Sequence, residues 1–538
     1  MRPALPVLAA LALAACQAGA PTAKSTPAAP VAVAPAPAIA LEEVGIAELQ
    51  ARMARGEFDA RQLTQAYLDR IAALDRDGPR LNSVLALNPQ ALAEAGTLDA
   101  ERRAGHVRGP LHGIPVLLKD NVDALPMATT AGSLALADNV PPRDAFLAAR
   151  LRAAGAVILG KTNLSEWANF RSSRSVSGWS GVGGQTRNPY VLDRNPCGSS
   201  SGTGTAVAAS LAAAGIGTET DGSIICPSAV AGLVGLKPTV GLVSRDGIVP
   251  ISASQDIAGP MARSVADAAL LLGAIAGTDA ADGATADAAR HVVDYAAHLK
   301  PDALRGARIG VLRKAMGYHP DVDAAMERAI TALRAAGATV VDARLPTAGQ
   351  WEDSEFEVLL YEFKEGLERY LAGHATPART LADLIAFNTA HAAQEMPWFG
   401  QELFEQAQAK GPLTERAYRE AKRKARELAG PRGIDAALRA QRLDALVAPA
   451  TGPAWRTDFV LGDHFTGAGY GAAAVAGYPS LTVPMGDSHG LPLGLVFLGG
   501  AWSEPRLIEL GYAFEQATRA RRAPRFLPTL EEPLRPAP

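Results

Sequence analysis

The sequence predicts an α/β fold in which one sheet is clothed by helices, and three observations carry that prediction. Short apolar runs alternate with helical patterns through the first half of the chain. Further strand-like runs recur close to the C-terminus, so the sheet draws on both ends of the sequence. No internal repeat or linker interrupts the chain after residue 41, which favours one large domain over a string of independent ones. With 538 residues, 48% of them apolar and 20% charged, there is ample material for a large buried core.

The elements follow in order. Between residues 44 and 75, Leu63, Tyr67, Leu68, Ile71 and Leu74 recur at helical spacing and predict one or two amphipathic helices. A strand is expected at 114–118, a helix around 145–154, a strand at 156–159 and an Ala-rich helix around 206–214. Ser264 with Asp267 three residues later makes a capping-box-like start for the run 268–275. Later strands are expected at 309–312, 445–447, 481–483 and 494–497, with a long helical insertion between about 351 and 442.

The charges nearly cancel, 52 Lys plus Arg against 55 Asp plus Glu, and no dense basic block is present to neutralise a phosphate backbone. No nucleic-acid partner is expected. At the start, Arg2 precedes an apolar run from 5 to 15 that is too short to span a bilayer and ends in Leu13-Ala14-Ala15-Cys16. This is the pattern of an export signal. Leu-Ala-Ala-Cys resembles the bacterial lipobox, which would put a lipid on Cys16 and the protein in the periplasm, anchored there; a plain cleaved signal is the alternative. Residues 1–16 thus read as signal and lipobox, the Ala- and Pro-rich residues 17–40 as a disordered tether, and residues 41–530 as the folded domain. Cys197 and Cys226 are too few for a disulfide scaffold or a cysteine-only zinc site, and buried free thiols are favoured over a bond between them.

Three motifs compete for the chemistry. Gly155-Ala156-Val157-Ile158-Leu159-Gly160-Lys161-Thr162 fits a phosphate-loop pattern, but its Ala-Val-Ile-Leu is itself the expected strand, which would commit the N–H groups such a loop leaves open. Gly198-Ser199-Ser200-Ser201-Gly202 fits a nucleophile elbow centred on Ser200, with His464 and His489 downstream, yet nothing in the sequence orders those partners. The third constellation combines Lys119 at a strand end, the serine run 199–201 and Thr218-Glu219-Thr220-Asp221-Gly222-Ser223. Each piece alone reads as a solvated lysine, a loop or a turn; together, in this order, they are far more specific.

These pieces, with Gly109-Pro110-Leu111-His112-Gly113-Ile114-Pro115, Gly160-Lys161-Thr162-Asn163, Gly235-Leu236-Lys237-Pro238-Thr239 and Ala476-Gly477-Tyr478-Pro479-Ser480, resemble the amidase signature family over nearly all of residues 41–525. Within the family, the stretches 161–170 and 218–223 are most similar to bacterial peptide amidases, which remove the amide group from peptide C-termini. The resemblance implies a single large domain with a mixed sheet covered by helices on both faces, and no metal or organic cofactor. It implies that Ser223 is the nucleophile, Ser199 an intermediate serine that follows a cis peptide bond, and Lys119 the base, with backbone N–H groups from Thr220, Asp221 and Gly222 around the oxyanion. In chemical terms an amide carbon is a poor electrophile, so hydrolysis needs an activated nucleophile, an oxyanion site and a proton for the departing nitrogen. Lys119 could serve as base only if burial lowers its pKa from about 10.4.

The sequence departs from the usual family pattern at Glu219 (commonly Asp), Asp221 (commonly Gly) and Ile225 (commonly Arg), which alters the charge beside the nucleophile. Asp221 reads equally as a recogniser of the substrate carboxamide or as a simple turn residue. Trp167, Phe170, Trp179 and Trp398 are candidates to line a peptide cleft, against the commoner role of aromatics in cores. The expected partner is a small peptide amide, and the expected membrane contact is only the lipid on Cys16. A broader amidase or aryl acylamidase is the nearest alternative. A tRNA amidotransferase component is disfavoured by the signal and the lack of a basic run, and an inactive envelope binding protein is the reading from another class.

Overall fold

The computed structural model describes residues 39–530; the leader 1–16 and nearly all of the tether 17–40 lie outside the described residues. The strands are β1 Val84–Leu87, β2 Pro115–Lys119, β3 Val157–Thr162, β4 Trp179–Ser180, β5 Gly184–Gln185, β6 Ala214–Glu219, β7 Val234–Lys237, β8 Ile257–Ala262, β9 Arg308–Leu312, β10 Thr339–Ala343, β11 Ala445–Pro449, β12 Ser480–Ser488 and β13 Leu491–Leu498. Eleven of them form one sheet in the order β1-β3-β2-β6-β8-β7-β12-β13-β11-β9-β10, and β4 pairs only with β5. The sheet is mixed. β2 runs parallel to β3 and β6, and β9 runs parallel to β10 and β11, whereas the pairs from β6 to β11 through the centre are antiparallel.

Both faces are buried, and the alternation of side chains along the strands divides them between two cores. Ala445, Val447, Leu495 and Phe497 join one cluster with Val322, Leu333, Leu507 and Phe514 of the helices Pro320–Ala335 and Glu504–Thr518. Their neighbours Leu446, Ala448, Val496 and Leu498 join the other, with Ile225, Val230, Leu428 and Ala473 of the helices Ile225–Val230, Arg416–Ala429 and Gly471–Ala476. The expected helical insertion is present, and Glu352–Ala372, Leu381–Ala390 and Glu402–Gln408 bury Phe363, Leu384 and Phe404 against Trp167 and Phe170.

Two local expectations are corrected. The Ala-rich helix lies earlier, at Ser201–Ala208, and residues 214–219 are strand β6. Gly202 explains the shift, because a Cβ there would collide with the carbonyls of Ser83 and Asn163, so the helix can start tight against the serine loop. The run of buried alanines is continuous across helix, turn and strand, and its apolarity carries no period. At Ser264 the cap forms, with Ser264 Oγ accepting from Asp267 N at 3.1 Å, but Asp267 turns its own carboxylate to Ile46 N at 3.0 Å and ties in the first helix, Ile46–Ala54.

The phosphate-loop pattern is resolved as a strand. Lys161 points into the interior and donates to Asp120 Oδ1 at 2.7 Å. The cysteine expectation is also corrected: Cys197 and Cys226 form a disulfide, with Cα atoms 6.0 Å apart across 29 residues of sequence. Two buried cysteines that the fold brings side by side can satisfy the small apolar packing expected of free thiols and still be bonded. Because Cys16 is the third cysteine, the unreduced, denatured chain should titrate at most one thiol, and reduction should expose two more. Replacing both Cys197 and Cys226 by Ala should lower stability by about 3–4 kcal/mol for a loop of 29 residues, read as a fall in the denaturant midpoint.

Candidate active site

The site forms where β2 and β6, parallel neighbours, end at their carboxyl edges, the usual place for a crevice in an α/β sheet. Lys119 is the last residue of β2. Ser199 lies in the loop before the helix Ser201–Ala208, and Ser223 lies in the turn between β6 and the helix Ile225–Val230. The peptide bond between Gly198 and Ser199 is cis. Ser200 closes the gap between the two serine loops: its N–H donates to Ser223 O at 3.2 Å, its Oγ donates to Thr218 O at 3.1 Å, and that Oγ accepts from Thr218 N at 3.2 Å. Ser200 is thus held by backbone, while His464 and His489 stand on the surface beside Asp458 and Asp321. The nucleophile-elbow reading has no partner for its serine.

Lys119 Nζ donates to Ser199 Oγ at 2.8 Å, to Thr218 Oγ1 at 2.9 Å and to Thr218 O at 3.2 Å. Asn121 Nδ2 donates to the same Thr218 hydroxyl at 2.9 Å. No carboxylate touches the ammonium, so burial dominates and pushes Lys119 down to about 7, against an opposing pull from Asp256 and Glu219. Lys119 and Ser199 are fully enclosed, whereas Ser223 is 8% exposed and is the member of the three that meets solvent.

The turn after β6 is shaped by Gly222 and Glu219. Gly222 has φ +83°, and a Cβ there would collide with the Tyr470 ring, so both conformation and space require glycine. Glu219 turns inward and accepts from Ile224 N at 2.8 Å and Ile225 N at 3.0 Å, with Gly222 as a lesser donor. The N–H groups of Thr220, Asp221 and Ser223 meet no acceptor among the described residues. Three backbone N–H groups are thus left unpaired in the turn that carries Ser223, while Gly222, also expected to face the oxyanion, leans toward Glu219. Asp221 is exposed to solvent at its surface, while the protein packed around it and then the charges of Glu355 and Glu219 raise its carboxyl well above the ordinary range. Burial likewise raises Glu355 to about 7, and Gln255 Nε2 spans from Thr220 O at 3.2 Å to Glu355 Oε1 at 2.8 Å.

Beside this arrangement lies a cavity of about 510 Å³ whose wall includes Asn121, Thr218, Thr220 and Asp256. None of Trp167, Phe170, Trp179 and Trp398 lines it. The first two pack edge-on against Phe404 and Phe363, Trp179 packs against Phe399, and Trp398 is 47% exposed over Phe459. Two further residues, Thr218 and Asn121, hold the lysine in place. Thr218 could have been marked by its alternation with Thr220, the first residue past β6.

Comparison with known proteins agrees with this architecture. The native peptide amidase of Stenotrophomonas maltophilia superposes with a TM-score of 0.87 at 62% identity, over 90% of this chain and 99% of that one. A probable amidase of Arabidopsis thaliana is 41% identical over 90% of this chain and 92% of its own. One component of the glutamyl-tRNA(Gln) amidotransferase of Thermosynechococcus vestitus is 37% identical over 88% of this chain and 98% of its own. The family model described as Amidase matches residues 62–508. The chain belongs to the amidase family, the amidase-signature hydrolases of amides.

Proposed function

We propose that the protein hydrolyses the C-terminal carboxamide of peptides to the free acid and ammonia, with Ser223 as nucleophile, Ser199 as proton carrier and Lys119 as base. The observation that carries this reading is the 2.8 Å contact of a carboxylate-free, buried Lys119 with Ser199 Oγ. A lysine titrating near 7 is half neutral at that pH and has a lone pair for the Ser199 proton. As Ser199 gives up its proton to Lys119, it takes the one on Ser223, whose oxygen attacks the carboxamide carbon. The resulting oxyanion is met by the free N–H groups of Thr220, Asp221 and Ser223. The proton returns through Ser199 to the nitrogen, ammonia leaves, and water repeats the sequence on the acyl-enzyme. The choice of peptide amides over other amides is supported by the 62% identity to the Stenotrophomonas enzyme.

We further propose export with a lipid on Cys16. The Cys197–Cys226 disulfide supports an oxidising compartment, and no helix among the described residues is long and apolar enough to cross a membrane. Labelled fatty acid should enter the wild type and not Cys16→Ser.

The reaction is tested with an N-blocked dipeptide amide and an assay for ammonia. Ser223→Ala should release none; ammonia from that variant would remove Ser223 as nucleophile. Lys119→Ala should lose about 10²–10⁴ in kcat. Because the base must be neutral, kcat/KM should rise with pH through about 7 and fall tenfold per unit below it; a flat profile between about pH 5 and 8 would count against the relay. Gly222→Ala should abolish turnover while the rest of the fold persists, checked by circular dichroism beside the assay.

A further inference from the structure

The cavity beside Lys119 contains a carboxylate that the relay does not use. Asp256 directly precedes β8, and the register that pairs Glu219 with Ile257 sets it opposite Thr220, where the strand gives way to the turn with the free N–H groups. Its Oδ1 accepts from Thr220 Oγ1 at 2.6 Å, and its Oδ2 accepts from Ile251 N and Ser252 N, both at 2.8 Å. Both oxygens are therefore fixed by three donors, and one of those donors is the first residue of the turn that carries Ser223. A carboxylate held this way makes charge-assisted bonds, which are shorter and stronger than neutral ones.

We propose that Asp256 is a positioning residue for amide hydrolysis: its carboxylate clamps Thr220 at the start of the oxyanion segment and supplies the negative field behind Lys119. The inference rests on the reading of Lys119 as the base. Two carboxylates act on that lysine, Asp256 and Glu219. Glu219 is opposed by Lys237, and Asp256 is opposed by Arg245, itself paired with Asp282 at 2.5 Å. Burial raises Asp256 to about 6, below Lys119, so it is mostly charged near pH 7 where Lys119 loses its proton. The field has a definite sign. It makes Lys119 a stronger base than enclosure alone would allow, which helps proton abstraction, and it leaves more of the lysine protonated at low pH. The clamp acts separately, through the Thr220 hydroxyl on the direction of the backbone donors.

The two roles separate in kinetics on the dipeptide amide with the full chain. In Asp256→Asn the acid limb of kcat/KM should move to lower pH by about one unit, with a lower plateau, because Lys119 loses an opposing charge. A merely structural role would lower the plateau and leave the limb in place. Thr220→Val, which removes the hydroxyl and keeps the charge, should lose about tenfold in kcat at about pH 8 with KM retained, and Thr220→Ser should restore it. A limb coincident with the wild type in Asp256→Asn overturns the field, and wild-type kcat in Thr220→Val overturns the clamp. Should Asp256→Asn fail to fold, Asp256→Glu keeps the charge and displaces the oxygens: the limb should stay and kcat should fall, and an unmoved kcat overturns the clamp, while a moved limb overturns the field. A Lys119→Ala variant that keeps the wild-type limb would indicate failure of the relay reading itself.

Discussion

Everything at the site depends on enclosing one amine without giving it a carboxylate to bind. A lysine in the interior ordinarily forms an ion pair, as Lys161 does with Asp120 one strand away, and an ion pair of that kind holds the proton. Lys119 instead ends its strand among hydroxyls and one carbonyl, with the nearest fixed charges acting only through space. Two lysines on adjacent parallel strands thus take opposite fates. One is tied into an ion pair within the architecture, and the other meets only hydroxyls and a carbonyl.

The surrounding structure can be understood as what keeps that amine dry and correctly aimed. Ser200 ties the two serine loops to β6 through its own N–H and its short hydroxyl, each bonded to backbone atoms, so the alignment does not rely on long flexible side chains. The Cys197–Cys226 bond joins the same two loops covalently, two and three residues from Ser199 and Ser223. Glu219 caps the turn from beneath, and Tyr470 fills the space above Gly222. These restraints come from separate parts of the chain and hold the two serine loops in one arrangement before any ligand arrives.

The sequence was most legible where chemistry and order coincide. Lys119, Ser199 and Ser223 could be singled out because three unremarkable pieces occur in one order, and the structure does bring Lys119 against Ser199 and ties the Ser199 loop to Ser223 by backbone. The strands β2, β3, β9, β11, β12 and β13 are legible to within a few residues, whereas β1, β6, β7, β8 and β10 are not; in β6 and β8 Gly215, Gly217, Gly259 and Pro260 read as breakers and are tolerated only because both strands are paired and buried. Thr218 and Asp256 stayed hidden for a related reason: their importance is a matter of which strand lies next to which, and Asp256 follows a Ser- and Ala-containing stretch that reads as loop. The cysteine pair was misread because 29 residues of spacing say nothing about whether two thiols meet.

The strand order has a consequence for how the protein comes into being. β12 and β13, residues 480–498, lie between β7 from the first half of the chain and β11 from the second. Until they arrive, a nascent chain has two half-sheets with bare edges and no means of joining them, and such long-range pairings are slow to form. The half-sheet that holds Lys119 and its partners Ser199 and Thr218 is by contrast drawn entirely from residues 84–262. What arrives late is the cover over the turn, since Tyr470, which packs at Gly222, is translated only just before those last strands.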